Sequence, residues 1–315
     1  MVERGPLVPK LWFWVKNRFP GTQNPASPRR SGAPNKDQDQ NMPVIKAGAY
    51  DLETMDTGSG PAVILIHSSA SGLRQWRALT EALRDRYRVI AVNLFGYGRT
   101  SPWPAARPMA AADQAELVAA AAALADGPVA LVGHSLGGLV ALEAAARLGG
   151  RVRVVLAFEP ILFGHLEAHG PAVARDEIAT LARRFSELAR AGDWNGAGEW
   201  FIDYWALPGT WASMGEERRQ NTLAMLPAVV HEWAMATTGL RPLVGWRAIT
   251  APVHLIRAAD SRAPTRAIVA LLAKTYPAWQ VHEVAAGGHM APLARPDLVN
   301  PVIAAALDEA YLGRA

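Results

Sequence analysis

The chain has 315 residues, half of them hydrophobic, with 27 Gly, 23 Pro, 11 Trp and no Cys, enough apolar content for one large core or two small ones and too much for disorder throughout. Without cysteine, disulfide scaffolds, thiolate zinc sites and cysteine nucleophiles are excluded. The net charge of +4 arises in the first 41 residues, where seven Lys/Arg face only Glu3, Asp37 and Asp39; the rest balances at 25 basic and 25 acidic side chains, with no electrostatic footprint for nucleic acid.

Residues 1–41 are rich in Pro, Asn, Gln and Arg and lose apolar periodicity after Phe19, so they read as a disordered tail. Met42 is an alternative start, and a short interfacial anchor on Trp12, Phe13 and Trp14 is the competing use of the tail. Pro9 and Lys10 interrupt its one apolar stretch, which makes a poor secretory signal. No run anywhere approaches the roughly 18 apolar residues of a membrane-spanning helix, so no integral membrane segment is expected and the chain reads as cytoplasmic.

Further on, residues 62–67, 88–94, 129–133, 152–158, 253–258 and 279–284 are nearly continuous apolar runs, the pattern of strands covered on both faces. Helical periodicity fills residues 73–85, 109–126, 136–148 and 265–275. This alternation predicts an α/β protein with a doubly wound, mostly parallel β-sheet. It stops over residues 161–250, where Ile178, Leu181, Phe185 and Leu188 fall on one helical face and no strand-like run occurs. That segment is read as a helical cap inserted between two parts of the core, residues 42–160 and 251–315. It carries six of the eleven Trp (Trp194, Trp200, Trp205, Trp211, Trp233 and Trp246), enough to line an apolar pocket at the junction; each could instead pack the cap against itself.

The most informative residues follow the third apolar run: Gly133-His134-Ser135-Leu136-Gly137, between a buried strand and a helix. This G-x-S-x-G turn strains the serine backbone, removes flanking side chains that would clash, and projects the hydroxyl from a strand tip at a helix N-terminus. Ser135 is the expected nucleophile. A Gly-flanked histidine, His289 in Ala-Gly-Gly-His-Met-Ala-Pro, lies after the last strand, and two carboxylates follow strands: Asp260 after 253–258 and Glu159 after 152–158. The glycines of Asn93-Leu94-Phe95-Gly96-Tyr97-Gly98 lack the spacing of a dinucleotide loop, and no G-x-x-x-x-G-K-[ST] occurs. No nucleotide cofactor and no metal are expected.

Taken together, these segments resemble the α/β-hydrolase superfamily over nearly all of residues 50–312. Val-Ile-Leu-Ile-His-Ser-Ser resembles the family's strand and oxyanion loop, with Ser68 where Gly is usual, and Asn93 stands where the family's turn carries Asp. The resemblance implies an α/β-hydrolase fold with backbone N–H groups of Ser69 and Leu136 as the oxyanion hole, His67 as a structural residue of the loop, and His289 as the general base; the acid that orients it is then Asp260, with Glu159 as the alternative unless that residue caps or gates the pocket. It also implies a serine hydrolase acting on a small-molecule, apolar carboxylic ester without a cofactor. A serine in place of a carboxylate nucleophile argues against haloalkane dehalogenase and epoxide hydrolase chemistry. C–C bond, amide or lactone hydrolysis and perhydrolysis use the same triad and stay open, as does a non-catalytic ligand-binding protein on this fold.

Overall fold

The computed structural model describes residues 42–104, 107–238 and 240–313; the expected disordered tail and the anchor built on Trp12 to Trp14 lie outside them. Eight strands form one sheet: β1 (Val44–Ala47), β2 (Tyr50–Thr57), β3 (Ala62–Ile66), β4 (Arg88–Val92), β5 (Val129–His134), β6 (Val152–Phe158), β7 (Val253–Ala258) and β8 (Gln280–Val284). Their order is β1-β2-β4-β3-β5-β6-β7-β8. β1 and β2 join antiparallel at one edge, and every pair from β4 to β8 is parallel. The sheet is therefore doubly wound and mostly parallel. Winding reverses between β3 and β5, and the carboxyl ends of those two strands flank the crevice where such sheets place their ligands.

The central strands are apolar on both faces because both faces are covered. Ile64, Ile66 and Leu131 pack on one side of the sheet, in alternation with Val63, Leu65 and Val132 on the other. The first set joins α2 (Ala111–Ala122) and α3 (Leu136–Leu148), and the second joins α1 (Arg77–Leu83) and the last helix of the chain, as the two-residue period of a strand requires. β1 and β2 were not expected. Tyr-Asp-Leu-Glu-Thr-Met-Asp-Thr is polar at every second or third position because β2, next to the edge strand β1, is only partly covered.

Between β6 and β7 the described chain is helical: α4 (Gly164–His169), α5 (Ala172–Ala191), α6 (Trp194–Trp205), α7 (Thr210–Ser213) and α8 (Glu216–Thr238), then a 3-10 turn at Leu243–Ala248. Ile178, Leu181, Phe185 and Leu188 of α5 are all buried. The tryptophans divide between two uses. Trp211 and Trp246 are buried in packing, Trp200 stays partly exposed, and Trp205 and Trp233 are buried against a cavity. After β7 come α9 (Ala263–Thr275), the short α10 (Ala291–Ala294) and α11 (Pro296–Leu312). Among the described residues no helix is long and apolar enough to cross a membrane.

Candidate active site

Ser135 stands between β5 and α3 with φ 57° and ψ −115°. Among the described residues only Ala70, Ser135 and Glu159 are non-glycine residues at positive φ, and all three meet at the carboxyl edge of β3, β5 and β6. Such conformations cost of the order of 1–3 kcal/mol each and persist where the surroundings over-determine them. The elbow closes because Gly133 and Gly137 lack side chains. A Cβ on Gly133 would strike the Gly137 carbonyl, and one on Gly137 would strike the Ile66 carbonyl and lie 2.7 Å from that of His67. With no Cβ there, α3 starts directly against β3, and its first N–H groups, Leu136 included, have no intrahelical acceptor.

His289 sits in a turn after β8, between Gly287 (φ 110°), Gly288 (φ 55°) and α10. Its Nε2 lies 2.9 Å from Ser135 Oγ and its Nδ1 2.8 Å from Glu159 Oε2. The geometry thus brings Ser135, His289 and Glu159 into one hydrogen-bonded series, with the imidazole and both partners buried. Glu159 is fully enclosed. Burial pushes its carboxyl up, but the His289 ring, the Ser261 hydroxyl and the Ala258 N–H outweigh that and hold it below the usual carboxylate value.

Asp260, the carboxylate favoured from chain order, does not reach the imidazole. It is largely exposed, and its Oδ1 and Oδ2 accept the N–H groups of Gly288 and Gly287 at 2.8 and 3.1 Å. Those two amides outweigh the effect of burial and lower its pKa. The expectation for Asp260 is corrected here: it shapes the loop that carries His289, and the alternative, Glu159, faces the ring. The reason is spatial. The kink at Glu159 (φ 42°) turns its side chain from the β6 tip under the His289 loop, whereas Asp260 lies beyond the β7 tip, alongside that loop's backbone.

Ser69 follows β3 between two anchored neighbours. The Ser68 N–H donates to Gln75 Oε1 (3.0 Å) and the Ala70 N–H to the Tyr97 hydroxyl (2.8 Å). Gln75 also reaches His134 Nδ1 at 3.1 Å, and His134 Nε2 donates to the His289 carbonyl at 2.8 Å. His134 thereby ties the loop after β3 to the loop that carries His289. This role needs a neutral ring, which burial enforces. His67 is likewise neutral, pushed down to about 4 by burial, with Nδ1 donating to the Ser68 carbonyl and Nε2 accepting from Leu94 N–H. Asn93 holds Glu53 and the Leu73 N–H, so its loop is a structural turn.

Ser135 and His289 open into a cavity of about 960 Å³. Ile161, Phe163, Phe201, Trp205 and Trp233 give it an apolar wall, and the Trp205 ring centre lies 4.3 Å from that of His289. Glu232 of α8 also lines it. Burial raises this carboxyl to about 7 against the partial counter-effect of the Ser69 and Tyr97 hydroxyls.

Between pH 4.5, the ordinary value for Glu, and about 7, the folded chain keeps a proton that the unfolded chain releases. Glu232 therefore lowers stability as pH rises through that window, by on the order of 3 kcal/mol. Buried His67 and His231, both pushed down to about 4, act the other way below their ordinary value of 6.5. Comparison with Glu232→Gln isolates the acid. The melting temperature of the variant relative to the native chain is expected to be more favourable at pH 8 than at pH 5, and an equal difference at both would count against a neutral Glu232.

A mostly parallel sheet carrying a hydroxyl, an imidazole and a carboxylate in series at its carboxyl edge is the architecture of the α/β hydrolases. A model of the Alpha/beta hydrolase family matches residues 63–302, and the chain belongs to that family of hydrolases. It is 31% identical to Lipase LipV of Mycobacterium tuberculosis over 267 residues, 80% of this chain and 96% of the lipase. With the 2-(acetamidomethylene)succinate hydrolase of Mesorhizobium japonicum it shares 27% over 270 residues, 84% of this chain and 94% of that one. A solved esterase from Thermogutta terrifontis superposes with a TM-score of 0.67 at 23% identity, covering 86% of this chain and 99% of the esterase; at that identity the likeness shows the fold alone.

Proposed function

We propose that this protein hydrolyses carboxylic esters of small to medium, apolar substrates through an acyl-enzyme on Ser135, with residues 161–250 acting as a cap over the site. The observation that carries this reading is the Ser135–His289–Glu159 series opening into a cavity with an apolar wall of Ile161, Phe163, Phe201, Trp205 and Trp233. His289 Nε2 takes the hydroxyl proton as Ser135 Oγ attacks the carbonyl carbon. The N–H groups of Ser69 and Leu136 receive the oxyanion, where preorganised donors act most strongly. Glu159, held ionised, keeps the Nδ1–H tautomer and stabilises the imidazolium. His289 then returns the proton to the leaving alcohol, and water, deprotonated by the same ring, releases the acid. The bond chemistry needs no cofactor. Relatives named lipase and esterase support an ester as the substrate.

Intact-mass measurement after treatment with a fluorophosphonate tests the reading. One adduct is expected on the native chain and none on Ser135→Ala or His289→Ala, followed by turnover of short-chain esters. An adduct without ester turnover would point to C–C, amide or lactone hydrolysis or perhydrolysis by the same groups. A folded native chain with no adduct would point to a ligand-binding protein.

A further inference from the structure

Glu232 is a buried ionisable group that faces the cavity and that the reaction outlined above does not use. It is 1% exposed, and among the described residues its Oε2 has no hydrogen-bond partner. A buried carboxyl with one idle oxygen costs stability that an apolar residue on α8 would not. Its other oxygen, Oε1, accepts from the Tyr97 hydroxyl at 2.7 Å. That hydroxyl in turn accepts the Ala70 N–H at 2.8 Å, and Ala70 is held at φ 54°. The Ser69 hydroxyl is the carboxyl's second polar neighbour. The Tyr97 ring is wedged edge-on against His67, centres 4.5 Å apart, which confines its hydroxyl to this place.

We propose that Glu232 and Tyr97 are positioning residues for the reaction: from α8 they clamp the strained Ala70 and so aim the neighbouring Ser69 N–H at the oxyanion. The logic lies in the single proton of the tyrosine hydroxyl. Committing it to Glu232 leaves a lone pair directed at the Ala70 N–H. Without that acceptor the hydroxyl is free to rotate, and without the hydroxyl Ala70 relaxes toward negative φ. Either change swings the Ser69–Ala70 peptide and displaces the oxyanion donor. Because Trp233, the next residue on α8, forms part of the cavity wall and packs on Phe163 at 5.7 Å, the helix that contacts substrate also sets the oxyanion geometry.

The inference rests on the ester-hydrolase reading, so its test has one arm that needs no turnover. In hydrogen exchange, the peptide containing Ala70 is expected to exchange about tenfold faster in Tyr97→Phe and Glu232→Ala than in the native chain, and near the native rate in Glu232→Gln, whose amide oxygen still accepts from Tyr97. In ester kinetics, Tyr97→Phe and Glu232→Ala are expected to lower kcat about 10- to 100-fold with KM within about threefold, since an oxyanion contact forms only in the transition state. Glu232→Gln recovers most of kcat. Unchanged exchange at Ala70 would overturn the clamp whatever the turnover. A rise in KM at constant kcat, or a Gln variant no better than Ala, would also overturn it. Failure of the native chain to cleave any ester would instead strike the function proposed above.

Discussion

Glu159→Gln is expected to lower kcat for ester turnover by about 10⁴-fold, the scale seen when the orienting carboxylate of a serine triad becomes an amide, whereas Asp260→Asn is expected to cost less than about tenfold. The carboxylate of Glu159 accepts three donors at once: the His289 Nδ1–H, the Ser261 hydroxyl and the Ala258 N–H. A Gln side chain must turn its NH₂ toward one of them. If it faces the imidazole, the ring is driven into the other tautomer, with its proton on Nε2, where it cannot accept from Ser135. If it faces Ser261 and Ala258, the Ser261 hydroxyl can turn to accept from it, but the Ala258 N–H is left facing a donor. The negative charge that steadies the imidazolium is lost in either case.

Asp260 touches only the backbone of Gly287 and Gly288. An Asn there retains one of the two acceptors, so the loop loosens while His289 keeps its partner. Steady-state kinetics on a soluble short-chain ester, with fluorophosphonate inactivation rates as a second readout, separates the two. A larger loss in Asp260→Asn than in Glu159→Gln would reverse the assignment of the acid. Because Glu159 lies below the ordinary carboxylate value, its contribution to stability is present above that value and is lost as pH falls through its own lower pKa. Glu159→Gln should therefore destabilise the chain more at pH 7 than at pH 3.

Gly137→Ala is expected to prevent folding or to cost more than about 4 kcal/mol, a large share of the roughly 5–15 kcal/mol that stabilises a typical domain. The new methyl would be driven into the carbonyls of Ile66 and His67. These are backbone atoms in the centre of the sheet and in the loop after β3, so nothing nearby can yield as a flexible side chain would. Gly127→Ala is the control, since a Cβ there meets nothing within 4 Å, and its effect is expected to stay within about 1 kcal/mol. Urea unfolding of both variants measures the difference. A Gly137→Ala chain as stable as the native one would mean that the close approach of α3 to β3 is not needed to form the elbow.

Much of the architecture was legible in the chain because its signals are local. Continuous apolar runs such as Ala62–Ile66 and Val129–His134 can only be satisfied by cover on both faces, and the alternation with helical segments implies parallel crossovers. The elements missed lack such signals. β2 carries Asp51, Glu53 and Asp56 beside the edge strand β1, and α11 opens on Pro296 and holds Pro301, which masked its periodicity. The stretch 73–85 read as one helix, yet it begins as a 3-10 turn at Leu73–Trp76 before α1, because Leu73 and Gln75 are tied to Asn93 and Ser68.

The sequence by itself determined the doubly wound class, the break in its pattern over residues 161–250, and the strand-tip positions of Ser135 and His289, since a glycine-flanked turn at the end of an apolar run is specified within a few residues. Only the tertiary structure decided which carboxylate meets the imidazole. Glu159 and Asp260 both follow strands, and chain order favours the latter, but the choice depends on which side chain reaches under the His289 loop once β6, β7 and β8 are side by side. The same holds for the Gln75–His134 tie and the Tyr97–Glu232 clamp. Their partners lie 59 and 135 residues apart, and hydrogen bonds between such residues leave no periodic trace, because short-range order along a chain carries no information about which distant polar groups will be buried together.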